Sequence, residues 1–162
     1  MQEKTLVLIK PEGVTRSLAG KIISRFEDAG LKIVAMKMLW IDEATAKRHY
    51  RDDIAKKHGE NVRKILLKHI SEGPVIAMVL EGIDGIAVVR KIVGSTYPNE
   101  ALPGTIRGDF GNVSKLYANT KNIAVRNLIH ASSNKEDAEI EIPIWFSESE
   151  IQSYKILHEH YN

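Results

Sequence analysis

Cysteine is missing from all 162 residues. This excludes a disulfide scaffold and a thiolate metal site, and it fits a reducing compartment. Charge of one sign is missing too: 23 Lys and Arg face 21 Asp and Glu, a formal net charge of +2. So slight an excess argues for neither a nucleic-acid nor a membrane partner, and any anion must be recognised by locally placed cations. Aromatics make up only 6%, with three Phe, and no basic stripe accompanies them. A nucleic-acid-binding module would need both. Long apolar runs are absent. The first, Leu6–Ile9, is flanked by Lys4 and Lys10, far too short for a secretory signal or a membrane span. The expected location is the cytoplasm, and Asn112-Val-Ser114 reads as a chance match to the glycosylation pattern.

With 43% hydrophobic and 27% charged residues, the chain has the composition of an ordinary globular protein. Its length suits one domain, 1–162, with a real core. TLVLI (Thr5–Ile9) reads as a buried strand closed by Pro11 and Gly13. Leu18, Ile22, Ile23 and Phe26 recur at helical spacing, with Gly30 at the C-terminal cap. Leu31–Ile41 is long and β-rich at its start, and reads as a strand. Asp42 caps the next helix, EATAKRHY; a charged stretch, RDDIAKKHGEN, leads to a second helical piece, VRKILLKHI. Gly73-Pro74 breaks it, PVIAMVL follows as a strand, and Ile86–Val93 as a short helix. Residues 94–114 carry four Gly and two Pro with little periodicity, and so long a loop in a compact domain is usually functional. Asn127–Ile129 reads as a short strand, and Ser133-x-x-Glu136 as a capping box opening a helix to about Ile142, stopped by Pro143. Ser147-x-x-Glu150 is a second capping box, for a C-terminal helix. Two strand–helix–strand units in this order suggest an α+β fold: a ferredoxin-like αβ sandwich with a four-stranded antiparallel sheet and helices packed on it. A doubly wound sheet is the alternative, though four strands are few for one.

His130 stands where a short strand feeds a helix start. Such a joint attracts anions, and a neutral imidazole there has a lone pair to offer as nucleophile or proton carrier; it could equally satisfy a backbone carbonyl. Glu141, eleven residues on, could fix the imidazole's tautomer or be one more solvated charge beside Glu136, Asp137 and Glu139. Arg107, in PGTIRGD, suits bidentate phosphate binding, since the glycines let backbone approach a ligand. Arg90, Thr96 and Lys10 are weak signals singly. Together, three cations and a hydroxyl beside one His point to a polyphosphate. Gly13…Gly20-Lys21 only imitates a nucleotide-binding loop, because the spacing is wrong and Ile22 stands where Ser or Thr is needed; GxGxxG is absent. His158 and His160 read as surface residues, and no His pair has a convincing metal-ligand spacing.

Lys10-Pro-Glu-Gly-Val14, His49-Tyr50, Gly73-Pro-Val75, Pro103-Gly-Thr-Ile-Arg-Gly-Asp-Phe110 and Asn127-Leu-Ile-His-Ala-Ser132 occur in that order. In this combination the chain resembles a nucleoside diphosphate kinase from about residue 4 to residue 155. The resemblance implies transfer of a γ-phosphate from a nucleoside triphosphate to a nucleoside diphosphate, by a ping-pong route through a phosphohistidine on His130. It implies that Glu141 orients the imidazole with Ser132 near it. Arg90, Thr96 and Arg107 would grip the phosphates, Tyr50 would lie by the transferred group, and Lys10 and Asn127 would contact the sugar hydroxyls and terminal phosphate. Mg²⁺ would be held by the nucleotide's phosphates and not by protein side chains. The partners implied are nucleoside di- and triphosphates and further copies of the chain, as a hexamer or tetramer, with no membrane and no specific nucleic acid.

Three departures from the family pattern stand out. The segment between Phe110 and His130 is about ten residues longer than usual, with the extra length around 111–122. The helix after Tyr50 is also longer, and the aromatic that normally stacks on the base has no clear counterpart; His58 and Val62 are the candidates. Ser133 replaces the usual Asp. A nucleotide-binding relative without turnover is the rival reading, and intact Lys10, Arg107 and His130 argue against it.

Overall fold

The computed structural model describes residues 1–157; His158 and His160 lie outside them. Four strands form one sheet: β1 (Gln2–Ile9), β2 (Lys32–Leu39), β3 (Val75–Ile83) and β4 (Ile129–Ala131), in the order β2-β3-β1-β4 with every neighbouring pair antiparallel. β3 therefore splits β1 from β2, and β1 splits β3 from β4, which is the ferredoxin-like arrangement. α1 (Pro11–Thr15) and α2 (Ala19–Asp28) make the first crossover. α3 (Glu43–His49), α4 (Asp52–His58) and α5 (Glu60–Ile70) join β2 to β3. α6 (Gly85–Val93), α7 (Ile106–Phe110) and α8 (Lys115–Lys121) precede β4, and α9 (Lys135–Trp145) follows it.

The unbroken apolar run of β1 is explained by cover on both faces of the sheet. Leu6 and Leu8 pack with Ala46, Ile70, Val79 and Trp145; Val7 and Ile9 pack with Ile22, Phe26, Val89 and Val93. All four β1 side chains are fully buried, each worth about 1.5–3 kcal/mol of transfer free energy. The two-residue period then fixes the site. His130 pairs directly with Leu8, so it stands on Leu8's face, under α3 and α9, while Ile129 and Ala131 enter the opposite core.

Several elements differ from the expectations. The charged stretch after Tyr50 is helical: Asp52 and Asp53 open α4 and Lys56, Lys57 and His58 close it, an order that suits the helix dipole. β4 lies two residues later than expected, so His130 is central in the strand, not at a strand–helix joint. The cap of α9 is Asn134, whose side chain accepts the Asp137 N–H at 2.8 Å. Asn caps as well as Ser, and this register replaces the Ser133–Glu136 box. Pro143 does not stop α9, which runs on to Trp145; the carbonyl its ring deprives of a partner belongs to exposed Glu139, where water can serve. The Ser147–Glu150 box is formed but caps only a 3-10 turn, Glu148–Glu150, in place of the expected C-terminal helix. Within the long loop and the extra segment, α7 and α8 are capped by Thr105 and Ser114.

Candidate active site

The sheet pattern brings His130 against α9. Its Nε2 lies 3.0 Å from both carboxylate oxygens of Glu141, and Ser132 Oγ donates to Glu141 Oε2 at 2.6 Å. Ser132 is itself fixed on β1, through its N–H to the Leu6 carbonyl (3.1 Å). Burial alone would raise the Glu141 pKa. The hydrogen bond and charge of His130, with help from His49 and Ser132, outweigh it and bring the pKa to about 2. Glu141 is therefore an anion that accepts, so the shared proton belongs on Nε2, and in a neutral ring Nδ1 then carries the lone pair. Among the described residues no hydrogen bond reaches Nδ1. His49 braces the ring from α3, edge-on, with centroids 4.6 Å apart. Trp145 Nε1 donates to His49 Nδ1 at 3.3 Å, and burial, followed by the His130 charge, lowers the His49 pKa to about 3.

Cations gather around the same strand. Lys10 continues the alternation of β1 past Leu8 and gives its Nζ to Asn127 Oδ1 at 2.6 Å. Asn127 Nδ2 in turn donates to the Thr96 carbonyl at 2.9 Å. Arg107, almost wholly buried, donates to the carbonyls of Asn127 (3.3 Å), Gly94 (3.1 Å), Ser95 (3.3 Å) and Ile129 (2.7 Å). A guanidinium has five N–H groups, so this one both pins the loop around it and holds a positive charge beside β4. Arg90 reaches the Ala131 carbonyl at 3.4 Å. The cations work against one another. Burial and the Arg90 charge lower Arg107 to about 10; burial and the Arg107 charge lower Lys10 to about 8, with Glu12 opposing. Positive groups held this close are stabilised by an anion among them.

Lys10, Thr96 and Asn127 line a cleft of about 660 Å³. His58 and Val62 both lie on its wall, and so do Asn61 of α5 and Lys115, Asn119 and Asn122 from the extra segment. Asn61 Nδ2 donates to Asn122 Oδ1 at 2.9 Å, tying α5 to the C-cap of α8. Tyr50 is buried at the end of α3 with its ring edge on His49. Burial and the charges of Glu12 and Glu141 raise its pKa, so its phenol can donate but is no base. A second hollow of about 710 Å³, on Met1–Lys4 and α9, contains none of these residues. His49, Asn61 and the face of α8 escaped the sequence reading. The only trace of His49 was its adjacency to Tyr50, since the packing of α3 on β4 is not written in either segment.

A profile of the family described as "Nucleoside diphosphate kinase" matches residues 3–151. The chain belongs to the nucleoside diphosphate kinase family. The nucleoside diphosphate kinase of Borreliella burgdorferi is 53% identical over 154 residues, spanning 94% of this chain and 92% of that one. That of Pyrococcus horikoshii is 50% identical over 153 residues, 94% and 90%. Among solved structures, a transition state mimic of the Borrelia burgdorferi nucleoside-diphosphate kinase with bound vanadate and ADP superposes with a TM-score of 0.96. It is 52% identical and covers 99% of this chain and 96% of that one. An NDP kinase from Pyrobaculum aerophilum gives 0.88 at 37% identity, covering 94% and 100%. Two described imidazoles bring Nε2 to a carboxylate, His130 to Glu141 and His69 to Glu12; His69 is buried, whereas the His130 side chain is 23% exposed.

Proposed function

We propose that the chain transfers the γ-phosphoryl group of a nucleoside triphosphate to a nucleoside diphosphate in two half-reactions at one site. The observation that carries the residue roles is the His130–Glu141 contact beside Lys10, Arg90 and Arg107. In the first half-reaction the Nδ1 lone pair of His130 attacks the γ-phosphorus. The N–P bond forms, the bond to the β–γ bridging oxygen breaks, and the nucleoside diphosphate leaves with that oxygen. The imidazole keeps its Nε2 proton, and the Glu141 carboxylate offsets the positive charge growing on the ring. A second diphosphate then takes the phosphoryl group back from Nδ1. Phosphoryl transfer asks for positioning and charge neutralisation more than for covalent work by the protein. Arg90, Arg107 and Thr96 serve the phosphates, Lys10 and Asn127 the sugar and terminal phosphate, and Tyr50 donates near the transferred group. His58 and Val62 are the candidates for contact with the base.

Mg²⁺ enters as part of the substrate. The group of potential metal ligands formed by His49, His130 and Glu141 is two imidazoles and a carboxylate that is already engaged, whereas Mg²⁺ prefers an octahedron of oxygens. Nucleotide phosphates fit that demand and these residues do not. Assembly into a hexamer or tetramer is supported by the edge strand β2, where Met36 and Met38, with Trp40 just beyond its end, are more than half exposed; apolar edges invite a second copy. Trp40→Glu is expected to reduce the mass found by light scattering, and an unchanged mass would exclude that edge. No described helix is long and apolar enough to cross a membrane, and the absence of cysteine supports a cytoplasmic site of action.

The test is a phosphoenzyme chase. Protein incubated with Mg²⁺ and γ-labelled ATP should carry acid-labile, base-stable label that is absent from His130→Ala and moves to GTP when GDP is added. Tight nucleotide binding without label would instead mean a sensor.

A further inference from the structure

The mechanism leaves one buried hydrogen-bonded pair without a task. Glu12 and His69 are 7% and 2% exposed, and Glu12 Oε2 lies 2.7 Å from His69 Nε2. The other carboxylate oxygen, Oε1, accepts the backbone N–H of Leu128 at 2.9 Å. Leu128 is a fully buried leucine with φ of +70°, in the region that leucine avoids. The N–H of Ile129 closes onto the carbonyl of Asn127, only two residues back, at 2.8 Å. This is a three-residue γ-turn of the rare, strained kind, centred on a left-handed residue. Strain of that sort persists only where its surroundings over-determine it.

The surroundings are one short segment. Lys10 N–H donates to the Leu128 carbonyl at 2.9 Å, while Glu12 takes the Leu128 N–H. Both polar backbone atoms of the strained residue are thus held from Lys10-Pro11-Glu12. Arg107 takes the carbonyls on either side, those of Asn127 and Ile129. Across the turn lie two working groups: Asn127, bound to Lys10 Nζ, and His130, in register with Leu8. With an ordinary φ at Leu128 the two could not both keep these places. A charged acceptor holds an N–H more firmly than a neutral one, but a buried carboxylate is tolerable only when paired. His69, at the end of α5, supplies the pairing, and the pair keeps the Glu12 carboxylate ionised, with its pKa brought to about 2 against the effect of burial.

We propose that the Glu12–His69 pair is a clamp on the strained turn at Leu128, setting the register between the nucleotide grip of Lys10 and Asn127 and the phosphoryl-accepting His130. Both are positioning residues, and the inference rests on the phosphohistidine reading above. Displacements of an ångström at reacting atoms cost about 100-fold in rate. In Glu12→Gln, and in His69→Leu, the single-turnover rate of His130 phosphorylation at saturating Mg·ATP should fall about 10- to 100-fold. The Kd for ADP should stay within about threefold, because the phosphate contacts survive separately. His69→Gln, which still donates to the carboxylate, should recover most of the rate lost in His69→Leu. In ¹⁵N-labelled protein the Leu128 amide proton, bonded to a carboxylate, should lie far downfield and move upfield in Glu12→Gln. Folded variants with unchanged rate and unchanged Leu128 resonance would overturn the clamp. So would a loss of stability with the rate per folded molecule preserved. A wild type that takes no label refutes the phosphohistidine reading; the Leu128 shift then decides the clamp alone, for it if present and against it if absent.

Discussion

Replacing Glu141 by Gln isolates the electrostatic part of the mechanism. The amide has nearly the shape of the carboxylate, so Ser132 and His130 keep their places. What is lost is a charged acceptor on the Nε2 proton, with two contacts of 3.0 Å reduced to one neutral hydrogen bond. Hydrogen bonds to charged groups contribute about 1.5–3 kcal/mol, against about 1 for neutral ones. The contact tightens as the ring becomes cationic in the transition state, so the barrier to phosphorylation should rise by about 1–3 kcal/mol. At 1.36 kcal/mol per decade this is a fall of about 5- to 150-fold. A second effect has the same sign: Gln can turn its NH₂ toward Nε2, which sends the ring proton to Nδ1 and blocks the nucleophile. Rapid-quench single turnovers with labelled ATP measure the rate, and equilibrium dialysis with ADP measures binding, which should stay within about twofold because no phosphate contact changes. A phosphorylation rate within twofold of the wild type would refute the claim that Glu141 acts on the imidazole.

The remaining expectations concern pH and packing. Burial and the Arg107 charge bring Lys10 to about 8, so kcat/KM, which reports the free enzyme, should fall above pH 8; a profile flat to pH 9.5 would contradict this. The same shift makes stability rise with pH between 8 and the ordinary lysine value, because the unfolded chain holds that proton longer. His49 titrates at about 3 in the folded protein and near 6.5 unfolded, so stability should decline as pH falls below 6.5. Urea titrations at pH 7 and 5 should show a smaller decline in His49→Phe. A Cβ on Gly108 would run into the Leu102 carbonyl oxygen. Gly108→Ala should therefore cost about 1–3 kcal/mol, read as a Tm lower by about 2–4 °C per kcal/mol, and should weaken activity through Arg107; an unchanged Tm would show that the loop yields.

The layers of the fold were legible because apolar runs and turn residues report local structure. TLVLI could only be a strand covered on both faces, and Gly73-Pro74 could only interrupt. The motif PGTIRGDF could be read as an anion loop, though not as a helix capped by Thr105. Contacts between distant segments were hidden. Glu141 looked like any charge on an acidic helix until α9 lay across β4, and His49 looked like a neighbour of Tyr50 until α3 set its ring on His130. The turn at Leu128 left no trace, since leucine gives no sign of a positive φ and the residues that hold it, Glu12 and His69, lie far away in the chain. The shifted cap of α9 is a different kind of miss: Ser133 and Asn134 were both able caps, and it is Asn134 whose side chain takes the Asp137 N–H.

The most direct test is the ring nitrogen that carries the phosphoryl group. With Nε2 held by Glu141, protein phosphorylated by Mg·ATP should show, by ³¹P–¹H correlation of the His130 imidazole, a single phosphohistidine substituted at Nδ1. Phosphorylation at Nε2 would require the Glu141 contact to break before reaction, and would contradict the account at its centre.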